Sequence, residues 1–244
     1  MGRRCIVIGA GVNITPARLA LINSDVDDGD LIILVGLSDD ALGALAEFTS
    51  QVYQDLDIKV EQFILNPRAS LIDTVAGLRS FIEDYAPCNV VIGIAGDRWV
   101  TTALSFLAMA LATVGGFINI NVDRVFVVQG DKGGVVDWPI APRLINLSQT
   151  EYRVLRLICG GHALAREVAK AYGEAFKEGI SLQVVERVLA RLRVKRLVEA
   201  KPSGKAYAYE ASQLGRLLAC RVPVVRGGVW ARIRVHPRSR SRSP

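Results

Sequence analysis

Four stretches of the chain are apolar at nearly every position rather than at every second one, residues 5–9, 31–35, 90–94 and 125–128, and residues 60–65 repeat the theme around Glu61-Gln62. A strand buried on both faces of a parallel sheet has this pattern, because neither face meets water. Between these runs lie segments with apolar residues at helical spacing, 15–23, 39–55, 69–85 and 99–114. Strands alternating with helices predict an α/β fold with a doubly wound, mostly parallel sheet. Ligands of such sheets sit beyond the carboxyl ends of the strands, which directs attention to the loops after Gly9 and Ile94.

Past Pro139 and Pro142 the pattern changes. Ser148 followed by Glu151 is a capping box, and Tyr152, Val154, Leu155 and Ile158 give the helix behind it a buried side that ends at Gly160-Gly161. A second helix is expected over 164–172, then a loop over 173–179. Ser181 is the N-cap of a third, with Leu182, Val185, Val188, Leu189 and Leu192 as its apolar stripe and Gln183, Glu186, Arg187 and Arg191 outside it. A strand over 197–201, a turn at Pro202-Ser203-Gly204 and an alternating run over 205–209 read as a hairpin tipped by Lys201 and Lys205. A last helix is expected over 211–219. The organisation predicted is a domain over 1–138, a stiff linker over 139–147, a second domain over 148–220 and a basic tail over 221–244.

Half of the 244 residues are hydrophobic, which excludes general disorder. Charge divides the chain: residues 1–143 hold 10 Lys and Arg against 17 Asp and Glu, a net −7, and residues 144–244 hold 20 against 7, a net +13. Contact with a polyanion therefore belongs to the second half. Cys5, Cys88, Cys159 and Cys220 are widely spaced and away from both histidines, so no metal site is expected, and Cys5 and Cys159 read as buried thiols. From Trp99 to Val122 no residue is charged, yet Thr, Ser and Asn dilute the run and Gly115-Gly116 splits it. The expectation is a core helix that also serves a homodimer face, with no membrane partner, in a cytoplasmic protein that opens without a signal peptide.

The first loop reads Gly9-Ala10-Gly11-Val12-Asn13-Ile14-Thr15. Ile14 stands where a dinucleotide fingerprint needs its third glycine, which argues against NAD; no other cofactor is indicated. Asn13 and Thr15 offer short polar groups either to a nucleotide or to a local turn. The second loop, Ala95-Gly96-Asp97-Arg98-Trp99, puts a glycine and exposed helix-start N–H groups beside Arg98, suited to a phosphate, while Asp97 opposes an anion or caps the helix. In the second half, Ser181, Gln183, Arg187 and Arg191 can address the major groove of double-stranded DNA, and Lys201, Ser203 and Lys205 its phosphates.

Taken together, these segments resemble the archaeal CRISPR-associated transcription regulators of the CARF–winged-helix family. The resemblance rests on Asn13, Thr15, Ala95-Gly96-Asp97-Arg98 and residues 184–198. It implies a Rossmann-like CARF domain joined to a winged helix-turn-helix, a homodimer with a ligand pocket on its two-fold axis, and a cyclic oligoadenylate, such as cyclic tetra-adenylate, as effector. Two positions differ from the family pattern. Ala95 and Asp97 replace a Thr or Ser and a second Gly, and Arg196 stands where a glycine would ease a left-handed backbone. The alternative is a ring nuclease cleaving the same ligand, against which His162 and His236 both lie outside the sensor domain and no catalytic triad or carboxylate pair is visible. A third reading is an architectural DNA binder that uses charge alone.

Overall fold

The apolar runs become parallel strands side by side. The computed structural model describes residues 3–129, 134–138, 142–204, 206–222 and 233–234. Strands β1 (Arg3–Gly9), β2 (Leu31–Gly36), β3 (Lys59–Ile64), β4 (Cys88–Ile94) and β5 (Ile120–Gln129) alternate with helices α1 (Thr15–Ile22), α2 (Asp39–Val52), α3 (Leu71–Glu83) and α4 (Arg98–Val114). The order across the sheet is β3-β2-β1-β4-β5, all parallel. A short strand β6 (Gly134–Asp137) extends it antiparallel to β5. The turn expected before it, residues 130–133, lies outside the described residues, as do Pro139 and most of the expected tail. This is a mixed α/β fold with a mostly parallel, Rossmann-like sheet flanked by helices.

The pleat sorts side chains into two cores. Ile6, Ile8, Ile32 and Leu34 face α1 and α2. Cys5, Val7, Ile33 and Val90 face α3 and α4. The second core does not stop there. It runs without a break into α5 (Gln149–Cys159), α6 (Ala165–Phe176), α7 (Leu182–Val194) and α8 (Gln213–Ala219), through Leu155, Val185, Leu189 and Leu217. Helix α8 packs against α3, α4 and α5. The segment from Arg98 to Phe117 is long and apolar enough to cross a membrane by length and composition, and 56% of its apolar window is buried inside the fold.

A charged side chain pins this junction. Arg79, on α3 and fully buried, donates from Nε to the Leu217 carbonyl (3.1 Å) and from Nη2 to that of Cys220 (2.6 Å), and pairs with Glu83 at 3.1 Å. Those carbonyls lie at the C-terminal end of α8, where no intrahelical partner exists and a cation is favoured. Glu83 also takes Arg156 at 3.0 Å, and Arg216 meets Asp73 at 2.6 Å. Cys159 and Cys220 form a disulfide, which corrects the reading of Cys159 as a thiol. The two are 61 residues apart, and no spacing rule could have paired them; the ends of α5 and α8 lie side by side only in the folded chain. Cys5 and Cys88 remain buried thiols.

Three boundaries in the second half also shift. Helix α6 runs on to Phe176, whose ring meets Tyr172 at 5.0 Å, and stops only at Lys177, which takes a left-handed conformation. The hairpin is longer than expected: β7 (Val198–Ser203) pairs with β8 (Ala206–Ala211), and Pro202 and Ser203 belong to the strand rather than the turn. The last helix begins at Gln213, with Ser212 as its N-cap. Helix α7 closes in a Schellman arrangement, with Leu197 N–H bonded to the Leu192 carbonyl and Arg196 N–H to that of Arg193. Arg196 sits at φ +56°, where a side chain is strained.

Two measurements follow. Arg79→Ala leaves the two carbonyls without their donor and takes one of three guanidinium partners from Glu83, and should lower the unfolding free energy in urea by about 3–5 kcal/mol. Arg196→Gly relieves the left-handed backbone and should raise it by about 0.5–1 kcal/mol.

Candidate ligand loops and nucleic-acid interface

β1 and β4 are neighbours, with Ile8 opposite Gly93, and the chain leaves them towards opposite edges of the sheet. The loops that follow them therefore emerge together at the switch point of the sheet. Glycines let them touch. Gly96 has φ +97°, and a Cβ there would stand 2.8 Å from the Ala10 carbonyl carbon; one on Gly11 would stand 2.7 Å from the Asp97 backbone nitrogen. Gly9, Gly11 and Ala95 are buried in this contact, so three of the nine expected ligand residues serve loop packing.

Asp97 takes a role that neither reading assigned to it. It occupies the N-cap position of α4 without capping it, and its carboxylate accepts the Val12 N–H across the gap at 3.3 Å. Asn13 Oδ1 accepts the Thr15 N–H at 3.0 Å, an Asx turn that leads into α1, as the local-turn alternative expects. Trp99 packs against the core, and its buried indole nitrogen has no hydrogen-bond partner. Asn13, Thr15 and Arg98 are exposed and reachable. Neither loop contains His, Cys, Lys or Tyr; they offer short polar groups, the Asp97 carboxylate, one guanidinium and the N–H groups opening α4. Among the described residues no group of three His, Cys, Asp or Glu could hold a metal. A cavity of about 1210 Å³ lies elsewhere, where β5 begins, lined by Asn119, Asn121, Trp138 and Arg143.

In the second half the capping box forms as expected: Ser148 Oγ accepts the Glu151 N–H at 3.3 Å and Ser148 N–H donates to Glu151 Oε2 at 2.8 Å. The structure uses that carboxylate further. Glu151 is buried, accepts Lys195 Nζ at 2.8 Å and meets Arg191 Nε at 3.3 Å, tying α5 to the end of α7. Ser181 caps α7 through the Val184 N–H. Val185, Val188, Leu189 and Leu192 are buried, and Gln183 and Arg187 are exposed. Arg187 has no carboxylate partner among the described residues. The hairpin follows the C-terminal end of α7. Lys201 is not at its tip but lies opposite Ala208, with its ammonium held by Glu210 at 2.6 Å; Ser203 is exposed next to the turn, and Lys205 lies outside the described residues. The residues missed by sequence are thus the two carboxylates, Glu151 and Glu210, that hold Arg191 and Lys201. The capping box marked Glu151 for a local role only, and nothing marked Glu210.

Burial works against the Glu151 carboxylate, but Lys195 and the Ser148 N–H outweigh it and hold its pKa below the usual glutamate range. A group with a lowered folded pKa contributes stability above its unfolded pKa and loses it as the pH falls through the folded one. The melting temperature should therefore fall as the pH drops below about 4.3, the ordinary glutamate value. Glu151→Gln should cost about 1–3 kcal/mol at neutral pH and flatten that fall, as read by melts across the acid range.

No family model matches the chain, and no significant match to it is found among curated proteins.

Proposed function

We propose that this chain is a ligand-responsive regulator of transcription of the CARF–winged-helix kind, acting on CRISPR-associated genes. In this reading α5, α6 and α7 with the β7–β8 hairpin are a winged helix-turn-helix, and α7 enters the major groove as the recognition helix. The observation that carries it is the solvent face of α7. Gln183 and Arg187 are exposed there on a capped helix with a buried opposite stripe, followed directly by a hairpin in the basic half of the chain. A surface of this kind can present a bidentate arginine to guanine and a glutamine to adenine. Arg191 and Lys201, both engaged with carboxylates, are second-rank contacts that would exchange a carboxylate for a phosphate on binding.

Asn13, Thr15 and Arg98 are the sensing residues in this reading, on two loops that meet at the switch point. A homodimer would bring two such loop pairs together around a cyclic oligoadenylate. The ligand then acts through its different affinity for two placements of the recognition helices. The one carboxylate on these loops, Asp97, is engaged with the Val12 N–H, and neither histidine lies on them, which favours ligand binding over ligand cleavage in this reading.

The test is a gel shift on DNA upstream of neighbouring genes, with and without cyclic tetra-adenylate. Arg187→Ala should weaken binding to the preferred site by about 1–3 kcal/mol and relax its sequence preference. Binding that ignores sequence in both conditions and collapses with salt would assign the basic half to charge alone.

A further inference from the structure

Arginines and aromatic rings meet where the sheet unit joins the C-terminal helices. Gln149, Tyr152, Arg153 and Arg156 recur on α5 at spacings of three and four, so they share one face. That face lines a cavity of about 370 Å³, closed on the far side by Phe117 and Asn119, which precede β5. Three arginines line it, Arg153, Arg156 and Arg221, against one carboxylate, Glu83. Glu83 is already shared among Arg156 at 3.0 Å, Arg79 at 3.1 Å and Arg221 at 3.5 Å. Arg221 also reaches Asp84 at 3.8 Å. Each guanidinium carries five N–H donors, so these pairings leave donors over on all three arginines. Arg153 finds its acid, Glu178, at 2.6 Å but outside the lining.

The aromatic rings set the orientation of these groups. Arg153 lies over the Phe176 ring at 4.8 Å, Arg156 over Tyr152 at 6.0 Å, and Tyr152 stacks on Phe117 at 5.0 Å. Tyr152 is 4% exposed, and its buried hydroxyl lies beside the Arg156 guanidinium with no acceptor for its own proton among the described residues. Burial raises its pKa against the pull of Arg156 and Arg79, so it stays a proton donor. A buried donor without an acceptor is costly, and beside a surplus of guanidinium N–H groups the acceptor that answers both is an oxyanion.

We propose that this cavity binds the phosphate group of a small phosphorylated ligand. It is separate from the loops of the proposed sensor: Asn119 lies at the amino end of β5, whereas those loops follow the carboxyl ends of β1 and β4, strands of the same parallel sheet. A concave space walled by both halves of the chain excludes a duplex backbone and suits a free ligand. Its occupant touches α5 on one side and the turn before β5 on the other, and so fastens the C-terminal helices to the sheet.

The full chain is titrated with inorganic phosphate and with AMP, at constant ionic strength against chloride, and followed by thermal melting and calorimetry. A saturable rise in melting temperature is expected with both. Tyr152→Phe should melt no lower than the parent when free, since it removes a hydroxyl whose proton has no acceptor, yet bind phosphate about fivefold more weakly. Arg153→Gln should weaken binding at least as much, its own melt confirming that it folds. Melting in phosphate that matches melting in chloride, or unaltered phosphate binding in both variants, overturns the proposal. So does displacement of phosphate by duplex DNA, which would assign these arginines to the DNA surface.

Discussion

A fully buried guanidinium must find acceptors, and where Arg79 finds them decides how the chain is put together. Two of its three partners are carbonyls at the end of α8, on a segment more than a hundred residues away in sequence. Helix α8 is thereby fixed to α3, and with α8 come α5 and the disulfide between Cys159 and Cys220. Buried charges are weak sources of stability, but they penalise every arrangement that leaves them unmatched. Docking the C-terminal helices elsewhere would strand Arg79 and Glu83 together. The prolines at positions 139 and 142 invite a picture of two bodies joined by a stiff strap, yet the core and this charge cluster run through the junction.

Helix α4 connects the two regions of interest. Its first residues open at the loop carrying Asp97 and Arg98, and its last lead into the turn bearing Phe117. Seventeen residues of helix span about 25 Å. A packed helix has few ways to deform, so a displacement imposed at the loop end would reach the Phe117–Tyr152 stack, whose Tyr152 belongs to α5. This gives the proposed sensor a physical route to the proposed DNA face, and it places the arginine-lined cavity on that route.

The contrast in charge between the halves also means something different once partners are known. Several of the basic groups are engaged: Arg156 and Arg216 pair with Glu83 and Asp73 of the acidic half, and Lys195, Arg191 and Lys201 pair with Glu151 and Glu210 of their own half. Engaged cations contribute less to attracting a polyanion than their number implies. Arg187, exposed and in no ion pair among the described residues, weighs more than the count of basic residues around it.

Strand and helix order, the capping box at Ser148, the stripe of α7 and the pairing of two loops at a switch point were all legible in the residues, because each depends on neighbours a few positions apart. The run 5–9 has to be a buried strand whatever surrounds it, and Ser181 caps a helix by reaching only to Val184. The left-handed conformation of Arg196 was not legible in the residues; only the family resemblance pointed to a glycine there. What only the tertiary structure decided are the long-range meetings: Arg79 with Leu217, Cys159 with Cys220, Asp97 with Val12 and Glu151 with Lys195. In each of these the residue type permits several partners, and spacing along the chain carries no information about which one arrives. Packing of one helix on another selects it, and packing is a property of the whole core rather than of any segment.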